Sequence, residues 1–338
     1  MRALITGATG FIGTYLTKRL IADGDNVRIV MREDKLPADF AGLALDVRQG
    51  DVTNAESLVS ACRDIDVVFH LAGLIAHSRS EREHMRQINV EGTRNVVQAC
   101  TACGVRKLVH LSSISAVGAS FDGLIPLTEK SPYNVASLRL AYFDTKQEGE
   151  AIALAAAREG TLDVVALNPG TIYGAGDARK GSRGTQLKVA QGKMPFYTSG
   201  GVNVMAVEDT IDALIAARDR GRSGERYLIG GENLLLRDVF AMIADAAGVA
   251  RPRLYLPNFA VRALGEIGDW RERKTNGVKH GPLTSENAWG AILFHWLDDA
   301  KARRELKLAP AQSARSAIES SVRWMRDHGL IGSSPRAD

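Results

Sequence analysis

The sequence predicts an α/β chain built on a doubly wound parallel sheet and completed by a smaller, mainly helical C-terminal portion. Three observations carry this expectation. Short β-branched runs alternate with helix-length segments through the first half of the chain, the pattern of strands buried on both faces and joined by crossover helices. A glycine-rich loop, Gly7-Ala8-Thr9-Gly10-Phe11-Ile12-Gly13, separates the first run from the first helical pattern. Beyond Leu234 helical periodicity dominates to about Gly329.

Taken in order, Ala3-Leu4-Ile5 reads as the first strand, Phe11 to Ala22 as the first helix and Val27 to Met31 as the second strand. A helix over Ala55 to Cys62, a strand over Asp66 to His70 and a helix over Met85 to Cys103 follow. Lys107 to Leu111 is the next strand, Leu140 to Arg158 the next helix, and Val164 to Leu167 the next strand. From Gly174 to Gly201 no long apolar period survives, so the stretch reads as loops over a site. The chain is then expected to rejoin the sheet at Val202 to Arg218 and at Arg226 to Ile229. Residues 1–173 accordingly form the sheet domain with 202–230 returning to it, 174–201 and 231–330 form the smaller portion, and 331–338 is a frayed tail.

Composition removes several classes. With 338 residues, 45% hydrophobic and 24% charged, the chain is ordinary globular material and neither disordered nor fibrous. The net charge of +4 comes from cations scattered among carboxylates, which speaks against nucleic acid. No apolar run approaches the roughly 20 residues that span a bilayer, so no membrane insertion is expected. The N-terminus lacks the order of a signal peptide, and a cytoplasmic protein is expected. Three cysteines make no disulfide framework. Cys100 and Cys103 spell C-x-x-C at the end of a helical stretch, where the dipole does not favour a thiolate, so they read as structural thiols. The seven histidines show no ligand spacing and no metal is expected; His70 and His110 fall in strands and read as structural. Trp289, Phe294 and Trp296 read as C-terminal packing.

Three motifs carry chemistry. In the opening loop, Gly7, Gly10 and Gly13 permit a tight turn, close approach of backbone N–H groups to a pyrophosphate, and close helix packing, with the helix dipole favouring the anion. With a strand before it and a helix after it, the loop points to a Rossmann-type dinucleotide site. The second strand ends at Arg32, where a carboxylate would accept a ribose 2′-hydroxyl and a guanidinium would pair with a 2′-phosphate. NADP(H) is therefore favoured, and Glu33 and Asp34 keep NAD(H) open. Finally, Tyr142-Phe143-Asp144-Thr145-Lys146 places a phenol and an amine four residues apart on one helix face. A phenol titrates near about 10, and a neighbouring ammonium is expected to favour the phenolate. Such a tyrosine exchanges the hydroxyl proton as a hydride moves.

Together these residues resemble the extended short-chain dehydrogenase/reductase superfamily, in its NAD-dependent epimerase/dehydratase branch, over most of the chain. The opening loop, with Gly7, Thr9, Gly10, Phe11, Ile12 and Gly13, is similar to the family's cofactor loop. Gly50-Asp51-Val52 looks like the segment meeting adenine, and His70-Leu71-Ala72-Gly73 like the loop lining the cofactor. Asn89-Val90-Glu91-Gly92-Thr93 resembles the motif whose Asn supports the active-site helix, and Asn168-Pro169-Gly170-Thr171-Ile172-Tyr173-Gly174 the turn against nicotinamide. The resemblance implies Tyr142 as general acid/base, Lys146 as the group holding the ribose and tuning Tyr142, and Ser113 as the hydrogen-bond partner of the reacting oxygen.

Later segments, Gly192 to Pro195 and Gly224 to Asn233, look most like dihydroflavonol-reductase-like proteins and hopanoid-associated sugar epimerases. Two departures matter. Ala116-Val117-Gly118 stands where many members have Val-Tyr-Gly. Val202 to Asp209 lacks the Arg that nucleotide-sugar members use for the diphosphate, although Arg179, Lys180 or Arg183 could substitute. The resemblance thus implies hydride transfer at a secondary alcohol or ketone carbon of a small molecule, a sugar or another hydroxy/keto compound, with the smaller portion binding it. A UDP-sugar epimerase or dehydratase is the alternative within the family, and a non-catalytic dinucleotide sensor or scaffold is the alternative outside it. A homodimer through the helices near Met85 to Cys103 and Leu140 to Arg158 is also implied.

Overall fold

The computed structural model describes residues 1–178, 183–275 and 283–332. The first half runs β1 (Arg2–Thr6), α1 (Phe11–Ala22), β2 (Asn26–Met31), β3 (Leu45–Gln49), α2 (Ala55–Cys62), β4 (Val67–His70), α3 (Arg82–Arg86), α4 (Gly92–Ala102), β5 (Lys107–Leu111), α5 (Ala141–Arg158) and β6 (Asp163–Pro169). It continues with β7 (Thr171–Tyr173), α6 (Gly184–Ala190), β8 (Phe196–Tyr197), β9 (Gly201–Ala206), α7 (Val207–Arg220), β10 (Arg226–Ile229), β11 (Glu232–Leu235) and α8 (Leu236–Ala247). The last part comprises β12 (Leu254–Tyr255), α9 (Asn258–Lys274), α10 (Ser285–Ile292), β13 (Phe294–His295), α11 (Ala300–Leu306) and α12 (Ala314–Asp327).

Seven strands form the main sheet in the order β10-β6-β5-β4-β1-β2-β3, every neighbour parallel. Its inner strands are apolar on both faces because both are covered. On one side Ile5, Ile29, Phe69 and Val109 pack with Leu16 and Leu20 of α1 and Ile211 and Leu214 of α7. On the other Leu4, Val68, Leu108 and Val164 meet Leu58 of α2, Val96 of α4 and Leu154 of α5. The Rossmann-type doubly wound fold expected from the sequence is the fold observed.

Some elements differ from expectation. Residues 202–206 do not rejoin the main sheet: β9 is the centre of a second sheet, bonded to β7, β11 and β13, and only α7 and β10 return. A buried strand reads alike in any sheet, so periodicity could not say which it joins. The edge strand β3 has no apolar run because much of it faces solvent. The expected loop region contains the short helix α6. Between α3 and α4, Gln87–Glu91 winds as a π-helical turn, a feature common at functional sites. Arg179, Lys180 and residues 333–338 of the expected tail lie outside the described residues. Among the described residues no helix is long and apolar enough to cross a membrane.

Candidate active site

The chain winds outward from β1 through β2 to β3, then returns past β1 to build β4, β5 and β6 on the other side. The loops leaving β1 and β4 therefore diverge, and a crevice opens at the carboxyl ends of the strands. A cleft of about 400 Å³ lies there. The expected residues Gly7, Gly10, Phe11, Ile12, Gly13, Leu71, Gly73, Ser113, Tyr142, Lys146, Pro169, Gly170 and Ile172 all line it. Thr9, Arg32, Asp51, Val52, Ala72 and Asn89 lie outside that lining.

The glycine loop is shaped by close approach. Gly7 sits at φ 75°, and a Cβ there would come within 2.7 Å of the Ala72 nitrogen. At Gly13 a Cβ would lie 2.2 Å from the Gly7 carbonyl oxygen, so only hydrogen lets α1 start this near the loop. Gly10 is the N-cap of α1 with no side-chain cap, and the first turn carries no acidic residue. An uncapped, dipole-positive helix end facing a cleft that any Cβ would constrict fits a pyrophosphate. The residues present therefore fit a dinucleotide. At the end of β2, Arg32 is 61% exposed at its side chain, with Asp51 at 3.8 Å and Glu33 at 4.0 Å. Asp51 accepts from Thr53 N and Oγ1, each at 2.8 Å.

The reacting end is built by β5, α5 and the turn after β6. Ser113 follows β5 and is held from two sides: its carbonyl accepts from Asn168 Nδ2 at 2.9 Å, and its Oγ accepts from Ser115 N at 3.1 Å. Both Ser113 and Tyr142 line the cleft, and Ser113 acts to lower the Tyr142 phenol. Lys146 donates from Nζ to the Leu111 carbonyl at 2.9 Å and is buried. Asn89, in the π turn, does not reach the cleft. Its Oδ1 accepts from Leu74 N at 2.7 Å, and its Nδ2 donates to the Leu74 carbonyl at 3.0 Å and to Thr145 Oγ1 at 3.2 Å. It thus braces the loop after β4 against α5.

The electrostatics correct one expectation. Burial pushes the Tyr142 phenol above its ordinary value; the neighbouring Ser113 hydroxyl pulls it back and the Glu286 carboxylate pushes it further up. A lowered phenol was expected from the Lys146 charge, yet desolvation by burial dominates. Burial likewise brings Lys146 down to about 8, against the opposing pull of Glu150, so its amine is still largely charged at neutral pH. His70 is structural as expected, with Nδ1 2.7 Å from Thr6 Oγ1 and Nε2 3.0 Å from Thr93 Oγ1.

Three residues near the site were not found from sequence. Glu286 of α10 accepts a hydrogen bond from Tyr142 N at 2.6 Å. It thereby caps α5, whose N-cap Leu140 has no capping side chain. Burial raises this carboxyl to about 7. His295 of β13 lines the cleft with its Nε2 buried and without a hydrogen-bond partner among the described residues. Burial lowers it to about 4, so the ring is neutral. Asp177, buried beside the cleft, accepts from Ser321 Oγ at 2.7 Å. Arg183 is engaged with it: its Nε lies 3.5 Å from Asp177, it donates to the Ile172 carbonyl, and its guanidinium sits 4.4 Å over the Tyr173 ring.

A family model described as the NAD dependent epimerase/dehydratase family matches residues 3–230. The chain is 30% identical over 339 residues to sterol demethylase protein B of Methylococcus capsulatus, covering 98% of this chain and 100% of that protein. It is also 30% identical over 340 residues to a Synechocystis protein provisionally named a dihydroflavonol 4-reductase, covering 97% of this chain and 95% of that one. The solved structure of gox2253 superposes with a TM-score of 0.84 at 30% identity, covering 98% and 99% of the two chains.

Proposed function

The chain belongs to the NAD-dependent epimerase/dehydratase family of enzymes, and from that premise we propose that it interconverts a ketone and a secondary alcohol on an apolar, ring-containing small molecule, with Tyr142 as general acid/base. The observation that carries this reading is that Ser113, Tyr142 and Lys146 line the same cleft as the glycine loop.

A bound nicotinamide dinucleotide supplies or accepts the hydride. Backbone N–H groups after Gly10 would hold its pyrophosphate, and Arg32, exposed and only loosely paired, would favour the 2′-phosphate of NADP(H). In the reducing direction the Tyr142 hydroxyl gives its proton to the substrate oxygen while Ser113 hydrogen-bonds that same oxygen. A phenol kept protonated by burial suits the donor role. The charged Lys146 amine stabilises the phenolate left behind. In the oxidising direction the same groups act in reverse.

Two observations favour an apolar substrate over a nucleotide sugar. Arg183 already serves Asp177 and the Ile172 carbonyl rather than standing ready for a diphosphate. Leu74, Ile75 and Ile114 line the cleft together with neutral His295. The names of the sterol and dihydroflavonol relatives point the same way. The test is cofactor oxidation with NADPH and NADH against a panel of cyclic ketones and of UDP-sugars. Turnover of the ketones with NADPH is expected; epimer exchange of a UDP-sugar without net cofactor consumption overturns the proposal, and no turnover together with tight cofactor binding favours a sensor.

A further inference from the structure

Among the described residues, nothing covers one face of helix α9. Phe259, Ala263, Ile267 and Trp270 recur at helical spacing along it, with Leu264 beside them. Phe259 is 76% exposed, Ile267 47% and Trp270 50%. The opposite face, Val261, Gly265, Gly268, Asp269 and Glu272, is buried. A Cβ at Gly268 would lie 1.8 Å from the Leu283 carbonyl oxygen, and one at Gly265 would lie 2.9 Å from Ala288 Cβ of α10. Backbone contact this close fixes the roll of the helix, so the apolar ridge cannot turn inward. Just before α9, Leu254 and Tyr255 of β12 are exposed as well. Single exposed apolar side chains are ordinary, whereas six large ones between residues 254 and 270 form a patch that marks an interaction surface.

The charges flanking the ridge identify its partner. Arg262, Arg271, Arg273 and Lys274 are exposed on α9 against the single exposed carboxylate Glu266, because Asp269 and Glu272 point inward. Lys274 Nζ lies 4.3 Å over the Trp270 ring. Aromatic and aliphatic side chains along one line with Arg and Lys to either side are the marks of a helix that lies in the plane of a lipid headgroup layer. A second copy of this chain fits poorly, since a twofold contact between two such faces would set cations against cations. We propose that the α9–β12 face docks this protein on an anionic phospholipid surface without crossing it.

The docking face is joined to the cleft. Glu272 accepts from Ser78 Oγ at 2.7 Å and from Ser80 N at 2.9 Å, which ties α9 to the loop after β4. That loop sends Leu74 and Ile75 into the cleft lining. Through Glu272 the helix that carries the docking face also holds the loop that lines the cleft. The surface does not depend on the substrate assignment, and it is tested without turnover.

Flotation of the full chain with phosphatidylcholine vesicles, alone and mixed with phosphatidylglycerol, is the test. Binding is expected only with the anionic lipid and weakens with salt. The double variants Ile267→Glu/Trp270→Glu and Arg271→Glu/Arg273→Glu each lose about tenfold or more in vesicle affinity while keeping cofactor binding. As a second readout, Trp270→Phe removes the vesicle-induced blue shift of tryptophan fluorescence. Wild-type protein left in the soluble fraction with anionic vesicles, or variants that bind as well as wild type, overturns the proposal. So does a wild-type dimer that Ile267→Glu/Trp270→Glu splits into monomers, for then the face joins copies of the chain.

Discussion

Replacing Glu286 by Gln tests the energetics of the site through a residue that no motif marks. The carboxyl caps α5 and is raised from 4.5 to about 7, chiefly by burial, with the Tyr142 and Ala141 N–H groups and Arg82 pulling it down and Asp144 pushing it up. A carboxyl whose folded value exceeds its unfolded one binds more protons folded than unfolded, so its contribution to stability is complete below 4.5 and is lost as pH rises through 7. That rise corresponds to about 3 kcal/mol in full, of which about 2.5 kcal/mol is traversed between about pH 5 and about pH 8. Glutamine keeps an oxygen to accept from Tyr142 N and has no charge to desolvate. The Glu286→Gln variant should therefore gain stability relative to wild type by about 2.5 kcal/mol across that interval, on top of a constant offset from altered packing. Urea denaturation of both proteins at a series of pH values measures the difference. A difference independent of pH would refute the claim that the carboxyl is charged in the folded protein only against a burial penalty. Glu286→Ala, lacking any acceptor, should instead lose stability at every pH.

Four further outcomes are expected. Tyr142→Phe lowers kcat by about 10²-fold or more while cofactor affinity measured by fluorescence titration stays within about twofold of wild type. Arg32→Ala weakens NADPH by about tenfold or more and leaves NADH nearly unchanged, as the loss of one charge-assisted contact requires; equal losses for both cofactors remove Arg32 from the 2′-phosphate. Gly13→Ala, forced against the Gly7 carbonyl at 2.2 Å, abolishes cofactor binding and lowers the melting temperature, and normal binding would contradict the packing argument. His295→Leu raises KM for the ketone by up to about tenfold through one lost neutral hydrogen bond without changing cofactor affinity, and an unchanged KM means that Nε2 faces no substrate atom.

Much of the fold was legible because the deciding interactions are local. The limits of α1 follow from the glycine loop and from Leu16 and Leu20, which meet the core at helical spacing. β4 and β5 announce themselves as apolar runs because both of their faces are covered. By the same logic β3 was silent: Asp46, Arg48 and Gln49 occupy an edge strand, where solvent rather than packing selects the residues. β9 was seen as apolar and assigned to the wrong sheet, because its partners β7, β11 and β13 are brought together only by the folded chain.

The candidate site divides along the same line. Tyr142 and Lys146 lie on one helix, and the glycines lie in one loop, so spacing alone sufficed to group them. Glu286 reaches Tyr142 from 144 residues away, and His295 enters the cleft from the strand that pairs with β9. Both belong to the C-terminal portion and act on residues of the sheet domain. The phenol was read in the wrong direction for a related cause. Sequence spacing supplied a cation one turn away, but burial, which is set by β5, α5 and the C-terminal portion together, outweighs it. Glu286 then links these parts. Through it α10 holds the first turn of α5, and α10 itself is held against the inner face of α9 by Gly265 and Ala288. The C-terminal helices therefore do more than cover the cleft: a substitution that lifts α10 off α9 should disturb Tyr142 without touching it, and Gly265→Val, whose side chain would press on Ala288, is the variant in which kcat should fall while the glycine loop still binds the dinucleotide.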